Sequence, residues 1–221
     1  MKINSVDNNT NFGWRYKTHE KITAMVVDEF PDLKKYKSVL TKMVVMPDFD
    51  ERGFKGNNHF YYTPQLCRPR ESFMDFTGNN NAAARYEQHV YSFEEFAVTN
   101  PEKALCEAGR ALHFLQDVTQ PHHIERGTIL DKWRDLKVHE AFEAFTHQHE
   151  DEFIKKAKNV CLDVTPNDNS DLFEEAVFLS EQISPAKNHN KNDWANIAHE
   201  SLSNTIAVTR EFLANVSAYL K

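Results

Sequence analysis

The strongest constraint on what this chain can fold into lies in residues 109–143. They carry two histidine–carboxylate pairs, His113/Asp117 and His139/Glu143, each four positions apart, with Pro121-His122-His123 between them. On a helix a spacing of four puts both side chains on one face, about one turn apart. Imidazole and carboxylate converging from one helix make a chelating unit suited to zinc. The proline between the pairs ends the first helix and turns the histidines back toward it. Either pair alone could be ordinary support on a helix surface. His113, however, sits inside the apolar stretch Ala111-Leu-His-Phe-Leu115, so its ring points into or along a core, where it needs a partner. A fold that brings both pairs and the histidine turn together builds a metal site.

The remaining sequence predicts helices around that centre. Thr18 reads as the N-cap of a helix over residues 19–30, with Ile22, Met25, Val26 and Phe30 on one stripe and Pro31 as its stop. A second helix is expected over 32–45. Residues 46–64 form a loop rich in turn residues and aromatics, and 65–81 are irregular. A helix follows over 82–97. Asn100 then caps the central helix, with Pro101 in its first position, Glu102 in its first turn and a buried stripe of Leu105, Ala108, Leu112 and Leu115. A third major helix is expected from near 136 to about 158. After a polar break at 163–171, two more are expected over 171–183 and 192–220. With only 6 Gly, and with 16 Phe and 7 Tyr to fill a core, the expectation is an all-α, single multi-helix bundle domain.

Charge and composition exclude other classes. A net charge of −7 argues against a surface built for duplex nucleic acid. Cys67, Cys106 and Cys161 are odd in number, widely spaced and without a CxxC pair, so no disulfide framework is expected. No apolar run approaches membrane-spanning length. Residues 1–13 lack the apolar core of a signal peptide and read as a polar leader, disordered or removed, ahead of a domain over 14–221.

Three more residues are candidate ligands: His19, soon after Trp14; Asp48, after Pro47; and His59, at the end of the aromatic loop. Each alone reads as an ordinary cap, surface charge or core group. Trp14 alone reads as a hydrophobic staple. Chemistry does not separate His122 from His123. His89, His147, His149, His189 and His199 read as surface or structural residues.

Taken in order, Trp14 with Thr18-His19, Pro47-Asp48-Phe49-Asp50, His59-Phe60 with Pro64, Leu112-His-Phe-Leu-Gln-Asp117, Pro121-His-His123 and His139-xxx-Glu143 resemble the bacterial zinc-dependent phospholipase C family. That family includes phosphatidylcholine-preferring phospholipases and the catalytic domain of clostridial alpha-toxin. The resemblance implies three zinc ions. Asp48, His59, His113 and Asp117 would hold one. Asp117 would bridge to a second, held also by His19 and the Trp14 backbone. His123, rather than His122, would join His139 and Glu143 on the third. In the family the tryptophan is the mature N-terminus and binds through its free amine. Trp14 is internal, so the resemblance implies removal of residues 1–13, or a weakened Trp14/His19 site and two ions if that site is lost. The family's choline pocket is only partly matched, with Phe49 where some members have tyrosine and Gly56 in a region where some have phenylalanine.

The expected function is therefore a zinc-dependent phosphodiester hydrolase. It would be a phospholipase C that cleaves a phospholipid to diacylglycerol and a phosphorylated headgroup by attack of a zinc-bound water, with Asp48 as general base. The expected partner is a phospholipid at a membrane surface, met by a monomer that is secreted or periplasmic by the same resemblance. One alternative is a single-strand nuclease or nucleotidase of the same fold, disfavoured because the chain has no Gly-Gly pair and carries Lys137-Val-His139 where those enzymes show a different motif. The other is a catalytically silent zinc-binding protein. A site of histidine and carboxylate disfavours it, since structural zinc sites are usually thiolate-rich.

Overall fold

The computed structural model describes residues 14, 16–51, 58–62, 81–125, 129–157, 159–162, 166, 168–183 and 192–221. The leader over 1–13, most of the irregular stretch 65–81, the middle of the aromatic loop and Cys67 lie outside them.

The architecture is an all-α helix bundle built around α5 (Pro101–Asp117). Asn100 caps it, its side chain accepting from the Lys103 amide at 3.1 Å, and Pro101 opens the first turn. Every residue from Ala111 to Asp117 is buried, so the second half of α5 is enclosed on all sides. The covering elements are α2 (Lys37–Met43), α4 (Ala82–Ala97) and α8 (Trp194–Tyr219). Around them, α1 (Tyr16–Val27) packs on α2 and α8, while α6 (Ile129–Ala157) and α7 (Asn169–Ile183) pack on α8.

Gly109 sets the distance between α5 and α2. A Cβ there would lie 2.6 Å from Met43 Cβ and 3.3 Å from the Leu40 carbonyl oxygen. Only glycine lets the two helices approach this closely, which brings the end of α2 within reach of His113, one turn further along α5.

Several boundaries differ from those expected. α1 begins upstream of His19, so Thr18 is a helix residue and not its cap. The Thr18 hydroxyl donates to Glu150 Oε2 on α6 at 2.6 Å, a tertiary partner that local sequence does not reveal. The helix expected over 32–45 is divided into a 3-10 turn, Lys34–Tyr36, and α2. Asp48 lies in a helical turn, α3 (Pro47–Asp50), because Pro47 occupies its first position and the Phe49 and Asp50 amides donate back to the Met46 carbonyl. α6 starts at Ile129, before the expected residue 136.

One short ladder staples the site. β1 (Tyr61–Tyr62) pairs in parallel with β2 (Ile124–Glu125), aligning Tyr61 with Ile124 and Tyr62 with Glu125. It joins the segment after His59 to the segment after His123. Cys106 and Cys161 are free thiols. No helix among the described residues is long and apolar enough to cross a membrane.

Candidate metal centre

Four elements deliver the site residues to the buried end of α5. α5 itself supplies His113 and Asp117, α1 supplies His19, α3 supplies Asp48, and α6 supplies His139 and Glu143. His59 and His123 come from one-turn segments. Asn58 fixes the first by donating to the Glu51 carbonyl at 2.7 Å, and the Ala82 amide anchors the next residue through the Phe60 carbonyl at 3.0 Å. The second belongs to the 3-10 turn Pro121–His123, capped by the Gln120 side chain, which accepts from the His122 amide. His19, Asp48, His59, His113, Asp117, His123, His139 and Glu143 are all buried.

Asp117 is the hub. Its Oδ2 lies 2.7 Å from His59 Nδ1 and 3.2 Å from His113 Nε2, and its Oδ1 lies 3.2 Å from His19 Nε2. On the other side of the hub, His139 Nε2 is 2.6 Å from Glu143 Oε1, which also accepts from Gln120 Nε2 at 3.2 Å. His123 Nε2 lies 3.9 Å from the same carboxylate oxygen. Three groups could each hold a cation, with ligand atoms within 4.8 Å of one another: His19/His113/Asp117, Asp48/His59/His113 and His123/His139/Glu143. His123, not His122, is in the third group. The His122 ring instead stacks on that of His139 at 5.3 Å. Trp14 is buried.

The rings are oriented from behind. His113 Nδ1 donates to the Val44 carbonyl at 2.7 Å, His123 Nδ1 to the His59 carbonyl at 2.8 Å and His19 Nδ1 to Gln116 Oε1 at 2.7 Å. At His113 and His123 the acceptor is a backbone carbonyl, which makes Nδ1 the donor and leaves the lone pair on Nε2, as metal-ligating histidines require.

Hydrogen bonding within the protein leaves part of this set unsatisfied. His59 Nε2 and His123 Nε2 are buried with no hydrogen-bond partner among the described residues, while His19 Nε2 and Asp117 Oδ1 have only each other, at 3.2 Å. Such a group costs about 1–3 kcal/mol each when left unmade. A donor set of buried imidazole and carboxylate without thiolate suits an open zinc site. The residues present fit the group that the motifs imply.

The protonation states agree with a site short of positive charge. Burial pushes Asp48 up to about 6, against the partial opposition of His113 and His19. Burial also opposes ionisation of Asp117, but His113 and His123 hold its carboxyl well below the usual range. Burial dominates at His113 and His123 and lowers both. At His19 burial is outweighed by the hydrogen bond and charge of Asp117, so its pKa rises.

Two residues that serve the site were not singled out from sequence, Gln116 and Gln120. The available signal was their polarity within an apolar helix and beside a proline turn.

No family model matches the chain, and no curated protein does. Among solved structures, an alpha-toxin from Clostridium absonum matches with a TM-score of 0.66 at 15% identity, covering 96% of this chain and 66% of that one. The Clostridium perfringens alpha-toxin of avian strain SWCP matches with a TM-score of 0.62 at 16% identity, covering 94% and 65%. The chain thus spans just under two thirds of the length of these toxins. Over nearly all of its own length it shares their fold, the fold that the ordered motifs imply.

Proposed function

We propose that this chain is a zinc-dependent phosphodiester hydrolase, a phospholipase C that cleaves a phospholipid at a membrane surface to diacylglycerol and a phosphorylated headgroup, with residues 14–221 as its catalytic domain. One observation carries the reading: three histidine–carboxylate groups meet in one core, where the protein's own hydrogen bonds leave His59 Nε2 and His123 Nε2 unsatisfied. Their likeness in order to the zinc-dependent phospholipases, and the shared fold, support it. Asp48, His59 and His113 would hold one ion, His19 with the Trp14 backbone another, and His123, His139 and Glu143 the third. Asp117 would offer one oxygen to each of the first two.

Zinc, when bound, would neutralise phosphate oxygens and bring the pKa of water toward neutrality. The chain's own residues would do the rest. Asp48 would accept the proton of the attacking water as general base. The orienting bonds to Val44, His59 and Gln116 would keep each imidazole fixed. Beside Asp48, Phe49 is 53% exposed and lies 6.2 Å, ring to ring, from Tyr16, which supplies apolar surface for an amphiphilic substrate.

The test is release of phosphorylated headgroup from phospholipid vesicles before and after chelation, with single-stranded DNA as the competing substrate. Chelator-sensitive release from vesicles, lost in Asp48→Asn while the fold persists, is the expected result. Cleavage of DNA alone, or undiminished turnover by Asp48→Asn, would overturn the assignment.

A further inference from the structure

Asp48 is followed closely by two further acids, Asp50 and Glu51. Both are answered from α5, one turn ahead of His113. Arg110 grips Asp50 with two arms, Nη1 donating to Oδ1 at 3.0 Å and Nη2 to Oδ2 at 2.6 Å, and Nη1 also donates to Glu51 Oε1. A planar fork matched to a carboxylate fixes direction as well as distance, which a single bond does not. Asp50 is 41% exposed, so the ion pair adds little to stability; what Arg110 contributes is geometry.

The same arginine reaches His59. The Glu51 carbonyl accepts from Asn58 Nδ2 at 2.7 Å, Asn58 is buried, and His59 follows it in the chain. Asp48, His59 and His113 form one of the three candidate cation groups, although they come from α3, a one-turn segment and α5. Arg110 and His113 ride on one helix, three residues apart. Through Asp50 and Glu51, Arg110 ties the segments of the first two ligands to the helix that bears the third.

We infer that Arg110 is the positioning residue of the Asp48/His59/His113 group, its fork setting Asp48 and His59 against His113. The inference rests on the proposed metal centre for what the group binds; the fixing of α3 is a property of the cation-free chain.

The experiment compares the full chain with Arg110→Gln, Asp50→Asn and His89→Leu. Hydrogen exchange of chelated protein reads the Phe49, Asp50 and Glu51 amides, which close the α3 turn. Zinc titration followed through the imidazole NMR signals reads His59 and His139 separately. Arg110→Gln should speed exchange in α3 by about tenfold or more. It should also raise the zinc concentration at which His59 responds by about 10–100-fold and leave that of His139 unchanged. Asp50→Asn should act in the same direction. His89→Leu, which leaves the fork in place, should lower Tm without moving the His59 response. Unchanged exchange in α3, an unmoved His59 response, or equal weakening at His59 and His139 in Arg110→Gln overturns the inference. A His59 response in His89→Leu as weak as in Arg110→Gln also overturns it, since loosened packing alone would then account for the loss. If wild type binds no zinc, the metal centre falls, and the exchange rates of the chelated chains still decide whether Arg110 holds α3. Should Arg110→Gln not fold, Asp50→Asn must weaken the His59 response selectively or the inference is overturned.

Discussion

Two clusters of histidine and carboxylate meet at the Phe114 ring, and they are finished differently. One includes His59 and His113, whose ring centroids lie 5.5 and 5.2 Å from that of Phe114. In the other, His89 stacks on the same ring at 5.9 Å, nearly parallel. His89 is saturated: Nδ1 bonds Glu107 Oε2 at 2.7 Å and Nε2 bonds Glu51 Oε2 at 2.9 Å. Burial opposes its charge, but the two carboxylates outweigh it and raise its pKa. Arg110 completes the cluster with a two-pronged bond to Asp50 and a further contact to Glu51. This cluster is a structural clamp between α3, α4 and α5. In the metal-site cluster, His59 and His123 spend Nδ1 on Asp117 and on a backbone carbonyl and leave Nε2 unmet among the described residues. A histidine–carboxylate cluster is therefore told apart as clamp or metal site by what each ring leaves over, not by composition.

The comparison can be broken most forcefully at Asp117. Asp117→Asn should cut zinc affinity and phosphodiester turnover by at least about 10³-fold, several kcal/mol of lost charge stabilisation, while the helical spectrum is retained. Full metal content in that variant would dissolve the distinction between the two clusters. His89→Leu should do the reverse. It takes the imidazole from Glu107 and leaves Glu51 with Arg110, and should cost about 1–3 kcal/mol of stability, discounted because both carboxylates are partly exposed. A lower Tm with undiminished zinc content is the expected result.

Acid should also separate them. Asp48 sits at about 6 without cations, and Glu51 is held at about 2 because its bonds and attraction to His89 and Arg110 outweigh burial. A raised carboxyl pKa means that the folded chain binds the proton more tightly than the unfolded one. Acidification from about pH 6 toward 4 should therefore stabilise the chelated protein through Asp48 and weaken zinc binding by up to about tenfold per pH unit. The lowered Glu51 has the opposite sign, and its contribution should disappear only as pH falls below its ordinary value of 4.5 toward 2. Melting curves and zinc titrations across pH 3–7 check both. The smallest effect belongs to Gly109→Ala, which gains helix propensity but forces α2 away from α5 and with it the Val44 carbonyl from His113. A net loss of about 1 kcal/mol with a modest loss of zinc affinity is expected.

Local rules were enough for part of this molecule. Asn81 and Asn100 each accept from an amide three residues on, so α4 and α5 begin where their caps indicate. The i, i+4 pairs needed only a helix to be brought onto one face. What escaped sequence reading depended on distant partners. Thr18 looked like a cap because Glu150, its partner, is 132 residues away. His89 gave no local hint that Glu51 and Glu107 would enclose it. The start of α6 was missed because residues 131–137, Asp-Lys-Trp-Arg-Asp-Leu-Lys, present no clear apolar stripe. Gln116 was hidden by a motif in which its neighbours attract the chemical argument.

The most direct test is the count of zinc ions on the folded chain by native mass spectrometry after exposure to zinc and removal of the excess. The account predicts three per chain, all released by a chelator with a fall in Tm. A folded chain that retains none, with a Tm indifferent to zinc, would contradict it and return these histidines to the role that His89 plays.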